Sequence, residues 1–167
     1  MKHKFRPKDL TMALFSISEK NHVLEEVRNA LLSLSELAST NSYFRVFFQS
    51  KKITGNQKVD ILNNLLGDKG HPLVNEVVSY LNASTALSDL KSISKLFDTM
   101  FKDSKNILSV HGTVAQNMTE SEIESLRSSL GQLLGKEMDL IIDIDPSLIG
   151  GIKLRIDNTF LDASIQN

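Results

Sequence analysis

The spacing of apolar residues changes about two thirds of the way along the chain, from a helical period to a strand period. Before the change, apolar residues recur at i, i+3, i+4 and i+7, the spacing of one helix face. After it, Leu108, Val110 and Val114 take one parity and polar residues the other, as in a strand. We therefore predict an α+β protein, with an N-terminal six-helix bundle at residues 1–105 and a small α+β C-terminal domain at residues 106–167.

The first predicted helix is apolar on two sides. One side carries Leu10, Ala13, Leu14 and Ile17; the other carries Met12 and Phe15. The apolar groups on both sides of so short a helix must be covered. One side is expected to pack against the protein's own bundle and the other against a partner. The predicted fifth helix also has a broad apolar stripe, and such surplus surface suits a site that holds a partner helix in a groove. The candidate residues are Leu10, Ala13, Leu14, Ile17, Leu73, Val77, Val78 and Leu81; plain core packing is the alternative for each.

Capping residues mark several predicted helix ends. Thr54 with Gln57, and Thr119 with Glu122, have the spacing of a capping box, in which two side chains satisfy free amides reciprocally. Further signals are a helix stop at Gly67 and a helix start at Pro72, with Val59, Leu62, Leu65 and Leu66 as the predicted core face before them.

The second region alternates in the same way as its first strand. A helix with Ile123, Leu126, Leu130 and Leu133 on one face is predicted to precede strands around Met138–Ile144 and Ile152–Ile156. Asp157-Asn158 is a turn signal, from which Phe160-Leu161 returns as a hairpin partner. Gly150-Gly151 is followed by a strand, so these glycines are predicted to permit a bend or a close backbone approach.

Composition and charge exclude several classes of protein. The absence of Cys excludes disulfides and thiolate metal sites, and no apolar run approaches the roughly 18 residues of a membrane span. Residues 1–105 hold 15 basic and 11 acidic residues, a net charge of +4, whereas residues 106–167 hold 4 and 9, a net charge of −5. Because the basic residues are scattered without aromatic neighbours, we expect no nucleic-acid partner.

The residues that could carry chemistry do not converge in the sequence. His3, His22, His71 and His111 lack metal-ligand spacing, and no Cys or Ser/His/Asp set offers a nucleophile. The carboxylates of Asp139, Asp143 and Asp145 fit an acidic, solvent-facing strand. We therefore predict no catalytic, cofactor-binding or metal site. An enzyme that uses the acidic strand remains an alternative, and it would require a polar pocket there.

Three segments resemble the ATP synthase delta subunit family, also called the oligomycin-sensitivity-conferring protein family. They are Leu-Thr-Met-Ala-Leu-Phe at residues 10–15, Asp-Pro-Ser-Leu-Ile-Gly-Gly-Ile-Lys-Leu-Arg-Ile at residues 145–156, and Phe-Leu-Asp-Ala-Ser-Ile at residues 160–165. The order of elements agrees over nearly the whole chain. Ser84-Thr85-Ala86 stands where the family has Asn-Gly-Arg, and Gln166-Asn167 stands where the family continues with Arg and a final helix.

The resemblance implies a mechanical function. In this family the helical domain grips an N-terminal helix of an alpha subunit, in a groove between its first and fifth helices, and the second domain holds the end of the stalk's b subunit. Such a stator keeps the catalytic head from turning with the rotor, so that proton-driven torque becomes ATP synthesis. The resemblance thus implies a non-catalytic subunit without cofactors, peripheral to the cytoplasmic face of a bacterial inner membrane. A generic two-domain scaffold is the alternative, and the identity of the partner distinguishes the two.

Overall fold

The computed structural model describes residues 5–67, 70–81, 84–156 and 159–165. In chain order its first helices are α1 (Pro7–Lys20), α2 (Leu24–Thr40), α3 (Ser42–Gln49), α4 (Gly55–Leu66), α5 (Pro72–Ser79) and α6 (Ala86–Lys105). They are followed by β1 (Ile107–Val114), α7 (Glu120–Leu134), β2 (Glu137–Ile144), β3 (Gly151–Ile156) and β4 (Thr159–Ser164). The predicted α+β class, with a helical region before a small sheet domain, is confirmed.

The chain forms two compact units that divide after Phe101. The helical unit contains α1 to α5 and most of α6; the sheet unit contains the last turn of α6, α7 and the four strands. This division lies four residues before the predicted boundary at residue 105, which is the residue where α6 ends.

Aliphatic and aromatic residues from several helices seal the core of the helical unit. Val27, Leu31 and Leu34 of α2 are buried together with Leu90, Ile93 and Phe97 of α6. The ring of Phe15 in α1 meets that of Phe97 at a centroid distance of 5.4 Å. Arg28 Nε of α2 donates to Asp98 Oδ1 of α6 at 2.6 Å. The partly buried ion pair fixes the two longest helices at the edge of this core.

The predicted helix ends are confirmed at their capping groups. Both capping boxes are complete: Thr54 accepts from the amide of Gln57 and Thr119 from that of Glu122, while each partner side chain accepts the cap's own amide. Gly67 ends α4 with a φ of 47°, a conformation that costs glycine little. Pro72 opens α5, where a missing amide hydrogen leaves no bond unmade.

One predicted core position in α4 is wrong. Leu65 is 62% exposed, whereas Leu62 and Lys58 are buried. Leu65 is three residues after Leu62 and lies close to the same face of α4, so periodicity selects it although its side chain is exposed there. The hydropathy pattern also missed the burial of Lys58, because it counts lysine as polar. In the structure the buried Lys58 ammonium donates to the carbonyl of Phe48 at the end of α3.

The sheet unit is a four-stranded sheet in the order β2-β1-β3-β4. β1 pairs in parallel with β2, through the connection that contains α7, and antiparallel with β3, which pairs antiparallel with β4. Val110 is aligned with Leu140 on one side and Ile156 on the other. Because side chains alternate between the faces of a sheet, these residues share the face on which α7 packs.

The β3–β4 hairpin and the glycine pair before it confirm two further predictions. The strands pair as predicted, although Asp157 and Asn158, the expected turn, lie outside the described residues. Gly151 has a φ of 83°, and a Cβ atom placed on it would lie 2.3 Å from the carbonyl oxygen of Ala163. The backbones of β3 and β4 therefore approach too closely there for any side chain.

Candidate functional site

The buried face of α1 differs from the stripe that hydropathy selects. Thr11, Leu14, Phe15 and Ser18 are buried. The hydroxyl of Thr11 donates to the carbonyl of Pro7 at 2.8 Å, and that of Ser18 to the carbonyl of Leu14 at 2.7 Å. Both polar side chains are thus satisfied within their own helix, and burial leaves no unmade hydrogen bond. The consequence is that several apolar residues of α1 remain on the surface.

The structure separates the eight predicted site residues by depth. Ala13 and Ile17 are exposed, and Leu10 and Leu73 are half-buried. The buried members are Leu14, Val77, Val78 and Leu81. The accessible residues can contact a partner directly, whereas the buried ones belong to the core beneath them. We call the accessible set, Leu10, Ala13, Ile17 and Leu73, the α1–α5 surface.

Met12 lies on the other flank of α1. Its side chain is 52% exposed, close to the 44% of Ile17. At about 100° per residue the two positions are roughly 140° apart around the helix, and the buried stripe of Leu14 and Ser18 runs between the flanks. α1 therefore presents apolar groups on both flanks of its buried face, and one side alone belongs to the α1–α5 surface.

Helix α5 contacts α1 and is held by its own buried residues. Val74, Val77 and Val78 face the core. The side-chain amide of Asn75, through Nδ2, donates to Asn63 Oδ1 of α4 at 2.7 Å. Near the end of α5 the ring of Tyr80 meets that of Phe5, just before α1, edge to face at a centroid distance of 5.5 Å. Sequence reasoning missed this exposed aromatic pair, since Phe5 precedes the periodic part of α1.

Two titratable groups of the helical unit are shifted by burial. Burial lowers the pKa of His71, at the start of α5, below its ordinary value of 6.5, and the carboxylate of Glu26 in α2 partly opposes this. Burial also lowers the pKa of Lys58. His71 Nδ1 accepts the amide hydrogen of Leu73 at 3.2 Å, which places the histidine at the N-cap of α5 rather than free on the surface.

Three acidic residues of the sheet unit, Asp139, Asp145 and Asp162, have structural partners. Asp139 forms an ion pair with Lys102 Nζ at 2.6 Å. Hydrogen bonds from the hydroxyl and the backbone amide of Ser147 lower the pKa of Asp145, and those from the hydroxyl and the backbone amide of Ser164 lower the pKa of Asp162. Within the described ranges no three His, Asp or Glu side chains gather as metal ligands would. These partners give Asp139 and Asp145 structural roles.

The sheet unit has several large apolar side chains on its surface. Leu133, near the end of α7, is 81% exposed, and Phe160 of β4 is 73% exposed. Ile149, Leu161 and Ile165 are also exposed. Ile149 lies in the connection before β3, Leu161 lies on β4, the edge strand of the sheet, and Ile165 follows β4. Because neighbouring residues of a strand point to opposite faces, Phe160 and Leu161 expose apolar surface on both faces of the sheet.

Comparison with known proteins gives one consistent family. The family model described as ATP synthase delta (OSCP) subunit matches residues 11–167. The chain is similar to the ATP synthase subunit delta of Symbiobacterium thermophilum, with 27% identity over 154 residues, 92% of this chain and 83% of that protein. It is also similar to the ATP synthase subunit delta of Fusobacterium nucleatum, with 27% identity over 154 residues, 92% of this chain and 88% of that protein.

A solved structure has the same fold. A chain in the cryo-EM structure of the Toxoplasma gondii mitochondrial ATP synthase hexamer superimposes with a TM-score of 0.72 at 24% identity, over 95% of this chain and 90% of that one. None of the helices in the described part of this chain is both long enough and apolar enough to cross a bilayer.

Proposed function

Because the chain belongs to the ATP synthase delta (OSCP) subunit family, we propose that its helical unit grips an N-terminal helix of an alpha subunit on the catalytic head. The chain is a structural subunit of the synthase stator, linking head and peripheral stalk, and does not itself catalyse. One observation carries the docking proposal. α1 and α5 contact each other, and both leave apolar side chains accessible along the α1–α5 surface.

The chemistry of the α1–α5 surface suits an amphipathic helix. Ala13 and Ile17 are one turn apart on α1, and Leu10 lies on the same side a turn earlier. The small side chain of Ala13 lets a partner backbone approach closely between two larger residues. An apolar helix face that settles there would remove Ile17 and Leu73 from water, and apolar burial of this kind is worth roughly 1.5–3 kcal/mol for a full aliphatic side chain.

Titration calorimetry of the full chain with a peptide of the cognate alpha-subunit N-terminus tests this proposal. We expect one-to-one binding, weakened about tenfold or more by Ile17→Asp, because the charge must be desolvated in the contact. Met12→Asp is the matched control, since it places the same charge at a similarly exposed site on the other flank of α1. Its binding should stay within about threefold of wild type.

Either of two results would contradict the proposed surface. Equal weakening by both variants would mean that the peptide contacts α1 from another direction. Absence of binding by the folded wild-type chain would remove the helical unit as the site on the head. Leu14 and Val78 are unsuitable test positions, because both are buried and a charge there would unfold the unit before binding could be measured.

The sheet unit is the proposed site for the end of the stalk's b subunit. Its exposed apolar residues support this, Leu133 on α7 most of all. A peptide from the C-terminus of the cognate b subunit should bind the full chain, and Leu133→Asp should weaken binding about tenfold. Ser128→Asp, also exposed and about 140° around α7 from Leu133, is the matched control. Unchanged binding by Leu133→Asp would place the b contact elsewhere.

Through these two contacts the chain would lie peripherally at the cytoplasmic face of a bacterial inner membrane. Fractionation of cells that express it should recover the chain with the membranes while the synthase is intact. Removal of both the catalytic head and the peripheral stalk should release it. Retention on membranes that lack the synthase would contradict this localisation.

A further inference from the structure

A single histidine satisfies the whole first turn of α5. Pro72 has no amide hydrogen, Leu73 donates to His71 Nδ1 at 3.2 Å, and Val74 and Asn75 donate to the His71 carbonyl at 2.9 and 3.0 Å. The starts of α3, α4 and α7 use a hydroxyl or an amide oxygen to accept from the first turn, as Asn41, Thr54 and Thr119 do. The side chain at the α5 N-cap differs from these three because it titrates itself.

Only the neutral ring can serve as this cap. Nδ1 accepts a hydrogen bond when the ring proton is on Nε2, and in the imidazolium both nitrogens become donors. Protonation would therefore leave the Leu73 amide without its acceptor. It would also place a positive charge at the helix N-terminus, where the helix dipole already disfavours one. Loss of such a cap costs a helix a factor of about five in its folding equilibrium.

The charged groups around His71 act in opposite directions. Glu26 of α2 favours the protonated ring, and burial, which favours the neutral ring, outweighs it. Three of the other charged groups on or beside the packed helices have partners elsewhere. Lys58 of α4 donates to the carbonyl of Phe48, Glu76 of α5 accepts from the hydroxyl of Tyr80, and Arg6 before α1 pairs with Asp9.

We propose that His71 is a pH-sensitive latch that holds the start of α5 in place at neutral pH and releases it on acidification. Val74, Val77 and Val78 anchor α5 in the core, and Leu73 belongs to the α1–α5 surface. Release of the first turn therefore loosens the α5 side of that surface, at Leu73. The consequence for docking rests on the proposed function, whereas the latch itself does not.

The pH window follows from the direction of the shift. The pKa of His71 is about 6.5 in the unfolded chain and lower in the folded chain. Between these two pKa values the unfolded chain therefore binds more protons than the folded chain. The stability due to the cap is complete above about pH 6.5 and falls as the pH drops through the lowered pKa.

NMR titration of the full chain between pH 8 and pH 5 tests the latch. We expect the His71 ring to titrate below 6.5 and the Leu73 amide to lose hydrogen-exchange protection by about fivefold over the same interval. His71→Asn should keep the protection constant, because asparagine caps at every pH. His22→Asn is the matched control, because it removes another histidine at an exposed position whose φ of 58° asparagine adopts readily. In this variant the Leu73 amide should lose protection with falling pH as it does in wild type.

The result that overturns the latch is a Leu73 amide whose protection does not follow the His71 ring, or a His71→Asn chain that loses protection as wild type does. Calorimetry with the alpha-subunit peptide then tests the consequence. Wild type should bind several-fold more weakly at pH 5.5 than at pH 7.5, and His71→Asn should bind equally at both. Failure to bind at either pH would sink the proposed docking, while the titration of the free chain would still decide the latch.

Discussion

The helical unit and the sheet unit bury their apolar residues to different degrees. Of the twelve largest side chains with less than 2% exposure, eleven lie in the helical unit and one, Val110, lies in the sheet unit. Helix α7, which the structure describes throughout, has no buried residue, although Ile123, Leu126 and Leu130 pack partly on the sheet. The helical unit has a complete core of its own, whereas the sheet unit has a thin one.

Size accounts for part of this difference. The sheet unit has 66 residues and the helical unit 101, and a shorter chain buries a smaller fraction of its surface. The remainder lies in the arrangement of the elements. One helix covers a four-stranded sheet, so Leu161 on the edge strand keeps its exposure even though it faces the same side as α7. The helical unit therefore has a closed core, whereas the sheet unit leaves part of its apolar surface exposed on its edge strand.

The largest expected effect tests whether the two units are independent. Phe97 is fully buried in α6 and contacts Phe15, so Phe97→Ala should cost the helical unit about 3–5 kcal/mol through lost burial and the cavity left behind. Urea unfolding followed by residue-resolved NMR should show the loss in α1 to α6 and leave the sheet unit near its wild-type midpoint. An equal loss in both units would show one cooperative structure and break the comparison.

The second effect concerns the backbone of the sheet unit. Gly151→Ala should cost about 2–3 kcal/mol, because its φ of 83° and the carbonyl of Ala163 at 2.3 Å both exclude a Cβ atom. Gly150→Ala is the matched control, since its nearest neighbour, the Ile165 side chain, lies at 3.8 Å. Thermal unfolding of the sheet unit measures both. A tolerated Gly151→Ala would show that the edge hairpin adjusts freely and that the thin core does not depend on it.

Much of the fold was predictable because local chemistry agreed with the final structure. The capping boxes at Thr54 and Thr119, and the change of period before Leu108, each depend on residues close together in sequence. The parallel pairing of β1 with β2 was not predicted, since strand partners come from distant segments and no local signal names them.

Sequence reasoning placed the candidate site on a pair of helices, and the structure shows that its residues differ in depth. Hydropathy placed Leu14 with Ile17 on one face, yet one is buried and the other exposed. Thr11 and Ser18 take the remaining core positions, because their hydroxyls are satisfied by carbonyls of α1 itself. A pattern of apolar and polar letters does not record which polar groups find a partner. The resemblance to a family supplied the groove, and the structure sorted its residues by depth.

The smallest effect compares the same local motif in the two units. Each unit has a complete capping box, but that of α4 closes with the neutral Gln57 and that of α7 with Glu122. The bonds to the amide and hydroxyl of Thr119 lower the pKa of Glu122 below its ordinary value of 4.5. This stabilisation is present above about pH 4.5 and is lost as the pH falls through the lowered pKa.

Acidification should therefore loosen the start of α7 and leave the start of α4 unchanged. Hydrogen exchange of the Thr119 and Thr54 amides between pH 5 and pH 3 measures the two boxes in one sample, because each amide donates to its partner side chain. Glu122→Gln is the control, since it gives the α7 box the chemistry of the α4 box and should remove its acid sensitivity. Equal loosening of both starts would mean that acid destabilises the units globally, and the contrast between a finished and an unfinished core would not extend to their helix ends.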